Sequence, residues 1–226
     1  MADTLPSDTL IHMAPILLQH WQFTAGRPVQ APVLPDGCRD LIVRVDSRGE
    51  PHWFVSDLAN SAQSVSCQAG QVFMGFRLHP AAQFSETELL AAFRQCDAGE
   101  SKTRQIARLE ALVRLDTNLA EALDALASAQ RKVDVLRQVG VSERTLERVI
   151  KRATGKNPLF WKNLARARRT ARQLNGQQPF AELAADSGYA DQAHMIREFR
   201  KWFGVTPGQF MGNTELTALV QASGYE

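Results

Sequence analysis

The first half of the chain carries a pattern typical of strands. Residues 38–79 contain short, mainly apolar stretches of the β type. Turn residues separate these stretches, in DSRGEP (46–51) and AGQ (69–71). Their tight connections favour a small antiparallel sheet or barrel. The predicted strands are DLIVRV (40–45), HWFVSDL (52–58), AQSVSCQ (62–68) and QVFMGFRL (71–78).

After residue 80 the spacing of apolar positions becomes that of helices. Apolar residues recur at steps of three and four, which predicts amphipathic helices over 86–96, 103–115 and 118–130. The expected fold class is α+β. A small N-terminal antiparallel β-sheet or barrel with helices is followed by a C-terminal domain that is all helical.

A duplicated helical plan occupies residues 133–161 and 180–210. Each copy has a short helix, a glycine turn and a longer helix that ends at a second glycine, with a proline three residues later. A glycine in a short turn between two helices is the signature of a helix-turn-helix, because a residue without Cβ readily adopts the left-handed conformation. The turn glycines are Gly140 and Gly188, and the closing glycines are Gly155 and Gly204.

The charge of the chain is unevenly distributed. The whole sequence has 26 Lys+Arg and 24 Asp+Glu. Residues 131–210 hold 16 of the basic residues and 7 of the acidic ones, a net charge of +9, which leaves −7 for the remainder. A compact basic segment that contains two helix-turn-helix patterns indicates a polyanionic partner such as nucleic acid.

The duplicated segment resembles a known family. GYADQAHMIREFRKWFGVTP (188–207) is very similar to the second helix-turn-helix of the AraC/XylS family of bacterial transcription regulators, and GVSERTLERVIKRATGKNP (140–158) is similar to the first. The resemblance covers about residues 115–211. It implies two helix-turn-helix units joined by a long helix, here Pro158 to Gln173. One departure is Leu136, where the family usually has alanine.

That resemblance implies the function and the geometry of DNA binding. A joining helix of 16 residues is about 24 Å long. With the packing offsets at its ends, it would place the two reading helices, 142–153 and 191–203, one DNA turn apart, about 34 Å. The chain would then be a sequence-specific transcription regulator that binds double-stranded DNA, with RNA polymerase as a further partner. It is not expected to be an enzyme.

The resemblance also assigns roles to individual side chains. Arginine suits guanine, glutamine adenine, glutamate cytosine and alanine a thymine methyl group. The alternatives are a surface pair between Arg144 and Glu147 and a carboxylate partner for Arg148 or Arg197. The expected base-reading residues are Arg144, Glu147, Arg148, Gln192, Ala193, His194 and Arg197. The expected phosphate-binding residues are Lys151, Arg152, Lys156, Lys162, Arg166, Arg168, Arg169, Arg200 and Lys201.

The N-terminal half also has family features. VLPDGCRDLIV (33–43) and MGFRLHPAA (74–82) resemble the β-rich, sensor-like domain of one AraC subgroup, although HPAA replaces that subgroup's Pro-Gly-Ala step. The Pro-Asp-Gly sequence at 35–37 is by itself a β-turn. The alternative to a ligand site is a set of structural ion pairs at the end of the sheet. Residues expected to bind an unknown small effector are Asp36, Arg39, His52 and Arg77, with Asp40 and His79 beside them.

These observations divide the chain into residues 1–114 (regulatory), 115–211 (DNA-binding) and 212–226 (tail). Three scattered cysteines without a CxxC pair argue against a disulfide framework and a zinc site, and no cofactor or metal is expected. The sequence lacks a secretory signal and a membrane span, so we expect no membrane partner and a cytoplasmic protein. The acidic N-terminal region and helix 103–115 would supply the surfaces of a homodimer.

Two alternative functions belong to different classes. Cys38 follows a turn and precedes Arg39, which would lower the pKa of a reactive thiol in an alkyl-accepting or redox sensor. An inert buried cysteine is the competing interpretation. A non-specific architectural DNA binder would use phosphate contacts only, whereas both reading helices here carry side chains suited to base edges.

Overall fold

A computed structural model describes residues 15–96, 100–128, 135–136 and 140–226. The short helix expected at the start of the first helix-turn-helix lies mostly outside these residues. Within the described residues, no helix is long and apolar enough to span a bilayer.

The N-terminal part is built from antiparallel strands. One sheet has the order β1-β6-β3-β4, β2 pairs with β5, and a short pair joins β7 to β8. The strands are β1 Leu17–Thr24, β2 Val29–Val33, β3 Arg39–Val45, β4 Pro51–Val55, β5 Gln63–Cys67, β6 Val72–Leu78, β7 Ala82–Gln83 and β8 Arg114–Leu115.

The helices follow the sheet, except that β8 lies between the second and third of them. In chain order they are α1 Glu86–Arg94, α2 Lys102–Leu112, α3 Thr117–Ser128, α4 Glu143–Thr154, α5 Pro158–Gln173, α6 Phe180–Asp186, α7 Gln192–Phe203, α8 Pro207–Met211 and α9 Thr214–Gln221. The expected combination of an N-terminal antiparallel sheet and a helical C-terminal part is confirmed.

The larger sheet buries one face against α1 and α2. Leu41 and Phe76, which face each other on neighbouring strands, lie in one core with Leu89 and Phe93 of α1 and Leu109 of α2. Alternation places these strand residues on one side of the pleat, because successive side chains point to opposite faces. This core makes the N-terminal half a folded unit with two layers, sheet and helices.

A second core joins the C-terminal helices to one edge of the β-rich part. It contains Trp161 and Leu164 of α5 and Phe199 of α7, and Leu34 and Ala81 enter it from the N-terminal half. Burying large aromatic side chains in a shared core links the two halves into one packed structure.

Several boundaries differ from the sequence predictions. The strands β1 and β2 were not predicted, and the expected strand at 62–68 pairs with β2 instead of joining the main sheet. The helix expected over 103–115 ends at Leu112, because Val113 takes an extended conformation with φ −112°. The two residues after it pair with β7 as a short strand.

Candidate nucleic-acid interface

In the first helix-turn-helix, α4 is an amphipathic helix that is capped at both ends. Ser142 caps its first turn, since the side chain accepts a hydrogen bond from the backbone N of Thr145. Gly155 closes it with φ 72°, the left-handed conformation that glycine adopts without cost. Leu146 and Ile150 bury the inner face. The outer face is therefore held rigidly toward solvent.

The second unit repeats this construction in α7. Asp191 caps the helix by accepting from the backbone N of His194 at 2.6 Å, and Gly204 closes it with φ 75°. Met195 and Phe199 are buried. These two residues stand the same number of positions before the closing glycine as the two buried residues of α4. The two helices thus expose equivalent faces.

The joining helix α5 fixes the two units relative to each other. Asn157 caps it and Pro158 begins it, at a position where a missing N–H costs nothing. Its 16 residues give a length of about 24 Å. Trp161 and Leu164 are fully buried in the shared core. One face of the helix is therefore packed in the core of the C-terminal part.

The sequence of this segment matches a family model described as a helix-turn-helix domain over residues 135–213. Residues 135–213 are a helix-turn-helix domain of the AraC type. The match runs from residue 135 to beyond the end of α8, so it contains both reading helices and the joining helix. The resemblance read from the sequence is confirmed for this domain.

Comparison with solved structures gives distant similarities. The chain is similar to an AraC-type transcriptional regulator from Chromobacterium violaceum, with 24% identity over 42% of this chain and 90% of that one and a TM-score of 0.40. It is similar to the DNA-binding domain of AdpA in complex with a target DNA, with 24% identity, 42% and 87% coverage and a TM-score of 0.36. Similarity to ToxT from Vibrio cholerae O395 spans 85% of this chain and 95% of that chain at 11% identity, with a TM-score of 0.45. No curated protein sequence matches the chain.

The predicted base-reading residues of the AraC-type domain differ in whether their side chains contact other groups of the protein. Arg144, Arg148 and Arg197 are exposed. Within the described part of the chain, no ion pair or side-chain hydrogen bond engages them. His194 is half-buried, its Nδ1 accepts from the backbone N of Ala190 at 3.3 Å, and its ring stands edge-on to a tyrosine. The remaining three side chains are exposed on the same helices: Glu147, Gln192 and Ala193.

The predicted phosphate-binding residues fall into two groups. Exposed cations follow the outer faces of the reading helices: Lys151, Arg152, Arg200 and Lys201. Lys162, near the start of α5, is half-buried and makes contacts within the protein. The predicted arginines of α5 make contacts within the protein, although Arg169 is also exposed to solvent. Arg166 donates to the carbonyl of Gly188 at 3.1 Å and lies 4.4 Å from the centre of the Tyr189 ring. Arg169 donates to the carbonyl of Ala127.

The expectation that Arg168 binds phosphate is wrong. Its side chain has no exposed surface, and Nη2 donates to the carbonyls of Val220 and Ala222 at 3.2 and 3.0 Å. A phosphate cannot reach a guanidinium inside the core. The helical period gave a signal for this, because Arg168 lies seven residues after Trp161 and four after Leu164, on the buried stripe of α5.

The residues predicted to bind an effector are only partly brought together. Arg77 pairs with Asp36 at 2.9 Å and with Asp40 at 3.3 Å. Nε1 of Trp21 also donates to Asp40, at 2.7 Å. Burial raises the pKa of Asp36, and the nearby guanidinium of Arg77 opposes that shift. These contacts match the alternative interpretation, in which structural ion pairs lie at the end of the sheet.

The other two predicted effector residues lie apart from this cluster. His52 is exposed on the edge strand β4, opposite Arg44 and stacked on Phe54. Arg39 pairs with Glu86 and forms part of the wall of a cavity. The four residues therefore do not line one common pocket.

The cavity beside Arg39 lies between the β-rich part and the C-terminal end of α4. Its volume is about 460 Å³. The N-terminal half supplies Arg39, Asn60 and His79 to its wall, and the AraC-type domain supplies Thr154 and Lys156. Burial lowers the pKa of His79, whose Nδ1 accepts from the backbone of Ala81. The cavity is a junction site that the sequence did not predict, because its walls come from distant segments.

Cys38 is in an environment unlike that of a reactive thiol. It is 4% exposed, and its pKa is raised well above the ordinary value by burial and by the neighbouring carboxylate of Asp36. A protonated, buried thiol is a poor nucleophile. The geometry therefore supports the structural interpretation of this cysteine over the sensor.

A C-terminal segment, residues 222–226, closes the junction between the halves. The backbone N of Tyr225 donates to the carbonyl of Asp36 at 2.7 Å, and its hydroxyl donates to the carbonyl of Leu123 at 2.7 Å. Nη1 of Arg77 donates to the carbonyl of Ser223 at 2.9 Å. The cluster of Asp36 and Arg77 thus fastens the sheet to this segment.

Proposed function

We propose that the protein is a sequence-specific DNA-binding regulator of transcription. In this proposal the two reading helices α4 and α7 enter successive major grooves. The observation that carries it is the pair Arg148 and Arg197. Each is the sixth residue of its helix, stands seven positions before the closing glycine, is exposed, and is opposed by a buried apolar face.

Basic residues at equivalent points of the two helices support the same conclusion. Lys151 and Arg200 stand four positions before the closing glycines, and Arg152 and Lys201 stand three before them. A doubled arrangement of this kind fits a ligand that repeats its own structure, as duplex DNA does once per turn. Regulation of transcription also implies that the protein acts where the chromosome lies, so we propose a cytoplasmic location.

A competition titration against single-base variants of a selected site tests base reading. Arg197→Ala should lower affinity for the preferred site by about 1 to 3 kcal/mol, relaxing the choice at one or two base pairs. Arg148→Ala should do the same about 10 base pairs away. Lys151→Ala is the matched control, and it should weaken all sequences equally and lower the salt slope by about one. Uniform losses for both arginine variants would assign them to phosphate binding.

The salt dependence of the full chain tests DNA binding as such. With six to ten phosphate contacts, affinity should fall on the order of 10³ to 10⁵ between 50 and 200 mM salt. An architectural binder would share this dependence but lose no base discrimination in the arginine variants. The two experiments together separate the two kinds of DNA binder.

We also propose that the N-terminal half regulates DNA binding through a small effector. The cavity at the junction supports this, since its wall combines Arg39 and His79 with Lys156 of the AraC-type domain. A ligand there would contact both halves at once. Arg39→Ala should abolish the response of DNA affinity to the effector while leaving basal binding unchanged, and His52→Ala, outside the cavity, is the control. Contacts with RNA polymerase and a homodimer stay predictions.

A further inference from the structure

The loop between β4 and β5, residues 56–62, contacts both helix-turn-helix units. Nζ of Lys156 in the first unit donates to Oδ1 of Asn60 at 2.8 Å. The backbone N of Ala62 donates to the carbonyl of Lys201, in the last turn of α7, at 3.3 Å. Carbonyls in the last turn of a helix lack intrahelical partners, so this bond satisfies one of them. One loop of the N-terminal half therefore lies against the C-terminal ends of both reading helices.

Lys156 is the cation of the helix-turn-helix domain that this loop holds. It directly follows Gly155, which closes α4, and belongs to the expected phosphate-binding set. Its ammonium is also 5.3 Å from the centre of the Phe160 ring, a distance suited to a cation–π contact. The ammonium is thus held in place between the amide oxygen of Asn60 and this ring. A phosphate that draws the side chain away from this position competes with Asn60 for it.

We propose that Asn60 and the DNA backbone compete for Lys156, so that the loop weakens DNA binding by the free protein. In the free protein the ammonium bonds to Asn60, and in the complex it bonds to a phosphate. The inference rests on the proposed function. It adds a route for regulation, because Asn60 also lines the junction cavity. A ligand in this cavity that displaces Asn60 would release the lysine.

Two substitutions at position 60 should move DNA affinity in opposite directions. Asn60→Ala removes the acceptor and should tighten binding, and Asn60→Asp turns the contact into an ion pair and should weaken it. Each change should be roughly two- to fivefold, the range expected for an exposed charged contact. Ser61→Asp adds the same charge one residue along the loop, where it makes no described contact with Lys156, and should weaken binding less. The assay is titration of the full chain with labelled duplex DNA at several salt concentrations.

Repeating both substitutions in a Lys156→Ala background isolates the competition. Lys156→Ala alone should lower the salt slope by about one, and the opposite effects of the two substitutions should then disappear. The proposal is overturned if the effects persist without Lys156, if Ser61→Asp matches Asn60→Asp, or if the slope is unchanged. Failure of the wild-type chain to bind DNA would instead overturn the proposed function.

Discussion

Gly37→Ala should destabilise the protein far more than a turn substitution normally does. Gly37 has φ +76°, and a Cβ built there lies 2.7 Å from Cβ of Tyr225 and 3.0 Å from a ring carbon of Trp161. Real Cβ atoms essentially never approach another atom within 3.0 Å. Neither neighbour has room to move, because Trp161 has no exposed surface and Tyr225 is 5% exposed. The glycine is thus required by the junction between the halves as well as by the turn.

The magnitude follows from two contributions. A non-glycine residue in the left-handed conformation costs about 1 to 2 kcal/mol. Forcing a methyl group into a well-packed core costs about 1 to 3 kcal/mol more. The sum predicts that the free energy of unfolding falls by about 2 to 5 kcal/mol. A part of this loss is offset, because alanine gives the unfolded chain less conformational entropy than glycine does.

Gly49→Ala is the matched control for this measurement. Gly49 has φ +84° with no atom within 4 Å of the added Cβ, so it carries the backbone cost alone. Urea unfolding followed by tryptophan fluorescence should give about 1 to 3 kcal/mol more destabilisation for Gly37→Ala than for Gly49→Ala. Equal losses for the two variants would refute the argument, since Pro35-Asp36-Gly37 would then act as a turn and nothing more.

Three further predictions concern the β-rich part and its junction. Cys38 should react slowly with iodoacetamide in the native protein, and Cys38→Ser should leave DNA binding intact; rapid native labelling that changes DNA affinity would favour the sensor instead. Burial and Lys102 lower the pKa of His20 from 6.5 to about 4, so the unfolded chain binds its proton first and stability should fall as pH drops from about 6.5 to about 4. His20→Gln should flatten that part of the stability–pH curve, and an unaltered curve would contradict the assignment. Tyr225→Phe should lower the free energy of unfolding by about 0.5 to 1.5 kcal/mol through loss of its bond to Leu123. Tyr225→Ala should cost more, and equal losses measured by urea unfolding would mean that the ring packs loosely.

Sequence reasoning succeeded where local pattern and packing agree. The strands β3, β4 and β6 are short, mainly apolar stretches separated by turn residues, and the long α5 has a capping residue, a proline at its first position and a regular apolar stripe. It missed β1, where one buried residue is followed by four half-buried and three exposed residues without alternation. The pair β7 and β8 has two residues in each strand, so tertiary contacts alone decide its existence.

The candidate site was predicted best on the surface of the helices. The exposed arginines of α4 and α7 follow from the helical period and the duplicated glycines, both of which are visible in the sequence. Arg168 was predicted to bind phosphate from its charge alone. Its position on the buried side of α5 was not taken into account. Junction contacts such as that of Asn60 with Lys156 join residues 96 positions apart. No periodicity within either segment encodes such a pair.

Contacts at the junction couple the two halves of the molecule. Arg168 of the joining helix and Arg77 of the sheet each donate to carbonyls in or next to residues 222–226, and Tyr225 stacks edge-on against Trp161 at 4.8 Å. The loop carrying Asn60 reaches the ends of both reading helices from the other direction. The joining helix α5 is packed in the shared core and fixes the two units relative to each other, so it should move as a rigid body. Movement of the β-rich part should therefore shift both reading helices together and leave their spacing unchanged. DNA sites with altered half-site spacing should then lose affinity to the same degree whether or not the β-rich part has moved, and a change in the preferred spacing would refute this rigid coupling.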